Sequence, residues 1–128
     1  MPESTDNDPD ADAVLDAAAL HALHALDPGG RARLVARLLQ AFAESLGKLL
    51  PEIERAGAER DWDTVQRHVH LLRSSSASIG ALDFARGCAA TEEHLRGGRR
   101  DATAAGIPAL CREGRRALGA VQAILDRP

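Results

Sequence analysis

The chain has almost no aromatic residues: Phe42, Phe84 and Trp62 make up 2% of it, and tyrosine is absent. Alanine and leucine carry most of the 45% of positions that are hydrophobic. That balance favours helices, because strands draw on aromatic and β-branched side chains. No apolar run approaches the roughly 18 residues of a membrane span, and no basic stretch leads into an apolar run at the N-terminus as in a secretory signal. A cytoplasmic protein without a membrane partner is expected. Only two cysteines occur, Cys88 and Cys111. Their spacing suits neither a disulfide framework nor a zinc site, and both fall at apolar positions of expected helices, as reduced core cysteines do. No cationic stripe is interleaved with aromatics, so a nucleic-acid partner is not expected. A Gly-rich phosphate loop with its lysine is also lacking, so the chain is not expected to use ATP itself.

Charge is present but uneven. The net value is −3, yet Glu3, Asp6, Asp8, Asp10 and Asp12 fall within residues 1–12, which hold no Lys or Arg. The remaining body carries 14 acidic and 16 basic residues. Residues 1–12 therefore read as a disordered acidic tail, and residues 13–126 as one domain, long enough to enclose a core.

Within that domain the apolar spacing is helical. Asp16 is placed to cap a short helix from Ala17 to Leu26, and Asp27-Pro28-Gly29-Gly30 breaks it. Leu34, Val35, Leu38, Leu39, Phe42, Leu46, Leu49, Leu50 and Ile53 recur every three or four residues, which predicts a long amphipathic helix that Pro51 kinks, or that splits near Ser45–Lys48. Gly57 to Arg60 form the expected next turn. Asp61 caps a third helix carrying Trp62, Val65, Val69, Leu72 and Ile79, and Gly80 closes it in a left-handed cap. A fourth helix is expected from Leu82 to Leu95 with Phe84, Ala85 and Cys88 inward, ended by Gly97-Gly98. A fifth is expected from about Ala104 to Asp126, with Pro108 obscuring its start. Short loops make consecutive helices antiparallel, so the expected fold is all-α: an up-and-down four-helix bundle with a short additional N-terminal helix.

Five histidines are the candidates for chemistry. His21 and His24 share a face of the first helix, but no carboxylate or cysteine completes a metal-ligand set. His94 sits near a helix end, where a cation is favourable. His68 flanks the Val65–Leu72–Ile79 seam, as a partly buried, hydrogen-bonded residue would. His70 is different. At about 100° per residue it lies nearly opposite that seam, sharing a face with Gln66, Arg73, Ser74 and Ala77. An exposed imidazole with a cation one turn on and small neighbours around it is open to another protein's approach. The seam stays in register across Ser74–Ser78, which therefore reads as helix rather than linker. Ser76 falls on its core side, where its hydroxyl can bond back to the Leu72 carbonyl.

The stretch His70-Leu71-Leu72-Arg73-Ser74-Ser75-Ser76-Ala77-Ser78-Ile79-Gly80-Ala81 resembles the signature H-x-L-K-G-S-S-x-x-x-G-A of histidine-containing phosphotransfer (HPt) domains in multistep two-component signalling. His70 aligns with the phosphorylated histidine, Leu72 with the core leucine and Arg73 with the basic residue, while Ser75, Ser76, Gly80 and Ala81 also match. The resemblance extends over roughly residues 13–126. It implies reversible transfer of a phosphoryl group between an aspartate on a receiver domain, of a hybrid sensor kinase or a response regulator, and Nε2 of His70. It further implies that Arg73 shields the phosphate, that Gln66, Ser74, Ala77, Gly80 and Ala81 form the docking face, and that any Mg²⁺ comes from the receiver, with no cofactor of the chain's own.

The sequence departs from the signature at two positions. Arg73 replaces a point charge with a planar fork, and Ser74 adds a hydroxymethyl where glycine is usual, which is expected to alter partner choice or rate. Met1 and the acidic tail suggest a free-standing protein rather than an excised kinase domain, and a monomer is expected. Two other readings are open. One is a helical adaptor that binds a signalling protein without carrying phosphate. The other is a metal-binding bundle, although Glu93 and His94 lack the spacing such bundles use.

Overall fold

A computed structural model describes residues 14–30 and 33–127 of the chain; the acidic tail at residues 1–12 lies outside them. The described residues form five α-helices and no strand: α1 (Ala17–Ala25), α2 (Leu34–Ala58), α3 (Trp62–Ile79), α4 (Leu82–Arg96) and α5 (Arg100–Leu125), with a 3₁₀ turn at Pro28–Gly30. Each of α2 to α5 packs on its neighbour in sequence, and α2–α5 contact closes the ring. Loops of two or three residues leave no other arrangement than antiparallel neighbours. α1 lies across one end, touching α2 and α3.

The core is the meeting of the helical stripes. Leu39, Phe42, Leu46, Leu50 and Ile53 of α2 are buried with Val65, Val69 and Leu72 of α3, Phe84 and Cys88 of α4, and Ile107, Cys111, Ala117 and Val121 of α5. Burying side chains of this size stabilises by about 1.5–3 kcal/mol each before the entropy of ordering is counted. α1 joins through Leu23, and Val14 and Leu15 are buried just before it. Its capping is as read from the sequence: Asp16 accepts from the Ala19 N–H at 2.9 Å.

Three boundaries differ from expectation. α2 runs unbroken through Pro51. Pro51 and Gly47, whose carbonyl loses its partner to the proline ring, are both exposed, so that oxygen is open to solvent rather than buried unpaired. Leu46, Leu49, Leu50 and Ile53, buried on either side, hold the helix on course. α5 likewise starts at Arg100 rather than near Ala104, with Pro108 inside it on the exposed face. Gly57 is not a turn residue but the last buried position of α2. A Cβ there would stand 3.1 Å from Ile107 Cγ1, so the glycine lets α5 approach α2.

Both cysteines are free and buried. Burial first, then the Glu92 charge, pushes the Cys88 thiol up to about 12, and burial pushes Cys111 up to about 11. Both thiols are therefore neutral and sheltered at pH 8. The folded protein is expected to release no colour with Ellman's reagent over minutes, and two equivalents once guanidinium unfolds it. Rapid titration of either thiol without denaturant would contradict this placement.

Candidate functional site

The ends of α3 fix the phase of its outward face. Asp61 caps the first turn, accepting from the Thr64 backbone N–H at 3.3 Å and the Thr64 hydroxyl at 2.7 Å. At the other end Gly80 takes φ +94, and Ala81 N–H donates to the Ser76 carbonyl at 2.9 Å. Between these caps Val65, Val69, Leu72, Ser76 and Ile79 face the core. Opposite them His70 stands 67% exposed.

The imidazole of His70 is not free to turn. Its Nδ1 lies 2.8 Å from Oε2 of Glu92, which projects from α4 and is only 3% exposed. The other carboxylate oxygen, Oε1, lies 3.0 Å from Nη1 of Arg73. That contact is an ion pair without good hydrogen-bond alignment, because Oε1 accepts no hydrogen bond. A buried carboxylate is stable only when charge and hydrogen bonds compensate it; here Arg73 supplies the charge and His70 the hydrogen bond. The charge-balanced arrangement has Nδ1–H donating to Glu92, which leaves the lone pair on Nε2, the nitrogen on the outer side of the ring. Arg73 is 44% exposed. One arm of its fork meets Glu92, and its other N–H groups are available beside His70.

Glu92 is not among the candidates that the sequence pattern marks. A signal for it was present: Phe84, Cys88 and Glu92 follow one another at intervals of four, so the glutamate continues the inward stripe of α4. A carboxylate in a core phase needs partners, and among the described residues the imidazole and cation brought to it are those of α3.

The face around His70 is small and smooth. Gln66, Ser74 and Ala77 are exposed on it. Ser78 donates its hydroxyl to the Ser74 carbonyl at 3.2 Å, and Ser75 to the carbonyls of Leu71 and Leu72 at 3.4 and 3.3 Å. The Leu72 carbonyl was expected to take Ser76; Ser75 takes it instead, and the buried Ser76 hydroxyl has no partner among the described residues. Leu71, 59% exposed, is a large apolar side chain next to His70 that the sequence reading did not single out. It shares a helix flank with Ser75 and Ser78, which line a shallow groove with Leu38, Ala41 and Phe42 of α2.

Two expected docking residues are not on this face. Gly80 is buried and Ala81 is 1% exposed. Gly80 carbonyl accepts from Asp16 N–H at 2.8 Å, and a Cβ at Gly80 would stand 3.0 Å from Ala19 Cβ and from the Asp16 backbone. The Gly-Ala pair is where α1 is fastened.

The other histidines serve locally. His68 Nε2 meets Glu52 of α2 at 2.8 Å and is largely buried, as expected for a structural residue. His94 Nδ1 accepts from Arg99 Nε at 3.1 Å. His21 and His24 are exposed on α1. Among the described residues no group of three or more His, Cys, Asp or Glu is placed to hold a metal, and no helix is long and apolar enough to cross a membrane.

Comparison with known proteins agrees with this geometry. The family model described as Hpt domain matches residues 37–127, a span containing both His70 and Glu92. An X-ray structure from rice, described as a histidine-containing phosphotransfer protein, superposes with a TM-score of 0.59 at 22% identity, over 87% of this chain and 85% of that one. At that identity the likeness speaks for the fold. No curated protein gives a significant match.

Proposed function

We propose, for a chain that belongs to the Hpt domain family and is thereby a histidine phosphocarrier of two-component phosphorelays, that His70 is the residue that carries the phosphoryl group. The observation that supports this most is the pairing of an exposed ring with a buried carboxylate: Glu92 holds Nδ1 at 2.8 Å, so Nε2 faces outward with its lone pair. The donor is an aspartyl phosphate on a receiver domain of a hybrid sensor kinase or response regulator. Nε2 attacks phosphorus in line, the N–P bond forms, the P–O bond to the aspartyl carbonyl carbon's oxygen breaks, and the electron pair leaves with the receiver's carboxylate. No proton has to move, because Nε2 carries none.

Phosphoryl transfer is governed by positioning and charge neutralisation. Glu92 orients the ring, and Arg73 offers N–H donors to phosphoryl oxygens beside it. Gln66, one turn before His70, is a further donor in reach of that space. The residues here do not suit Mg²⁺: the one carboxylate at the site is buried, with its oxygens turned to His70 and Arg73. Any Mg²⁺ belongs to the receiver's acidic cluster. A cytoplasmic location and a monomeric state are part of the same reading, checked by fractionation and gel filtration.

The test is incubation with a phosphorylated receiver, followed by a search for label on this chain that is lost in acid and kept in base. Label that survives acid would place the group elsewhere than on a histidine.

Docking on this reading uses Ser74, Ala77 and Leu71 rather than Gly80 and Ala81. Leu71→Glu puts a charge on the apolar flank, and Ser74→Leu raises a branched side chain next to the ring. Each is expected to weaken receiver binding by about tenfold or more, the scale of a central interface residue. Unchanged affinity in both variants, measured by titration calorimetry, would remove this face from the interface.

A further inference from the structure

Forming an N–P bond changes the charge of the ring, and Glu92 and Arg73 are arranged to meet that change. Before transfer, on the reading that His70 is the phosphoacceptor, the ring is neutral with Nδ1–H on Glu92, and Arg73 balances the carboxylate. Transfer uses the Nε2 lone pair, so the ring becomes an imidazolium that still carries the Nδ1 proton. Glu92 then has a new cation 2.8 Å away. Arg73, half-exposed and held to Oε1 without an aligned hydrogen bond, is released to the phosphoryl oxygens. Glu92 exchanges one cation for another, and the phosphoryl group gains the guanidinium.

We propose that Glu92 keeps the Nδ1 proton on phosphorylated His70, and thereby keeps the P–N bond in the form that can be passed on. In onward transfer the P–N electron pair returns to Nε2. With the Nδ1 proton present, the group expelled is neutral imidazole; without it, imidazolate must be expelled, a far poorer leaving group. A phosphorylated ring in plain water surrenders that proton as the pH rises. A carboxylate at 3% exposure, screened little by solvent, opposes the loss. Glu92 is in this sense a positioning residue: it acts through the ring and never touches phosphate.

The other groups near Glu92 leave the effect to it. From α3 the charged neighbours are His70 and Arg73. On α4 the Cys88 thiol feels the Glu92 charge, with Cys111 of α5 behind it, while Glu93 and Arg96 pair with each other at the surface; burial keeps both thiols neutral across pH 6–9. On the α2 side the titratable pair is His68 with Glu52, which bond each other.

The experiment uses the full chain, labelled from a phosphorylated receiver and freed of it. Return of label to unphosphorylated receiver is followed from pH 6 to pH 9. The native protein is expected to hold a nearly flat rate, whereas Glu92→Gln, which keeps the shape and a neutral acceptor, falls about tenfold between pH 6 and pH 9 when each profile is scaled to its own rate at pH 6, equivalent to roughly 1.4 kcal/mol. Nitrogen-15 spectra of the native phosphorylated protein at pH 9 give a second measurement that needs no variant: the Nδ1 proton is expected to be present. A Glu92→Gln profile that tracks the native one, or a native ring without that proton at pH 9, overturns the proposal. Absence of label on the native chain overturns the phosphocarrier reading instead, so the two failures are distinct.

Discussion

His70→Gln is expected to abolish labelling from a phosphorylated receiver, a loss of about three orders of magnitude or more, as removal of a nucleophile ordinarily gives. No other histidine can take over. His68 is largely buried, with Nε2 occupied by Glu52, and His94 spends Nδ1 on Arg99 at the far end of α4. His21 and His24 are exposed on α1 and take no part in the Glu92–Arg73 pairing that flanks His70. Residual label on the variant at more than background would therefore be evidence against His70, not for a substitute.

The variant should also stay folded, although Glu92 makes the substitution less innocuous than exposure alone implies. A surface replacement normally costs within about 0.5 kcal/mol. Here the carboxylate loses a hydrogen-bond donor at 2.8 Å, and the shorter reach of glutamine only partly restores it, so about 1 kcal/mol is expected. Arg73 keeps Glu92 from being left as a lone buried charge. A small drop in the urea midpoint with complete loss of label separates chemistry from stability.

Most of the bundle was legible because its signals are local and periodic. The stripe of α3, its Asp61 cap and its Gly80 closure depend on residues a few positions apart, and the phase they define is what separates His70 from His68. The errors share a cause. Pro51 and Pro108 look like breaks to a local rule, yet both helices pass through them because burial on the opposite face outweighs one missing hydrogen bond on the wet side. Gly57 looks like a turn until α5 is packed against it.

Glu92 is the instructive case. Its meaning depends on a contact 22 residues away in sequence, and two adjacent glutamates offer a reader no choice without the phase of α4. The phase was available in Phe84 and Cys88, but a carboxylate at a core position is ordinarily excluded rather than sought. Such a conflict between local rule and fold is where a functional group is to be expected.

Gly80→Val is expected to cost about 3 kcal/mol of stability, and little of the phosphotransfer chemistry. Two penalties combine. The residue sits at φ +94, a left-handed conformation that a β-branched side chain resists at roughly 1–3 kcal/mol. A Cβ there would also lie 3.0 Å from the Asp16 nitrogen, the Asp16 oxygen and Ala19 Cβ, and backbone atoms cannot swing aside as a side-chain tip can. Relief requires moving α1, which endangers the bond from Asp16 N–H to the Gly80 carbonyl and uncovers Ile79 and Leu23. Gly80→Ala should show the same trend with a smaller loss. The site itself is about 15 Å away along α3, ten residues at the helical rise, and the Glu92 contact does not pass through α1. A lowered urea midpoint, faster hydrogen exchange confined at first to α1, and unchanged receiver affinity below the transition are the expected results. Weakened receiver binding at unchanged stability would instead return the Gly-Ala pair to the docking face.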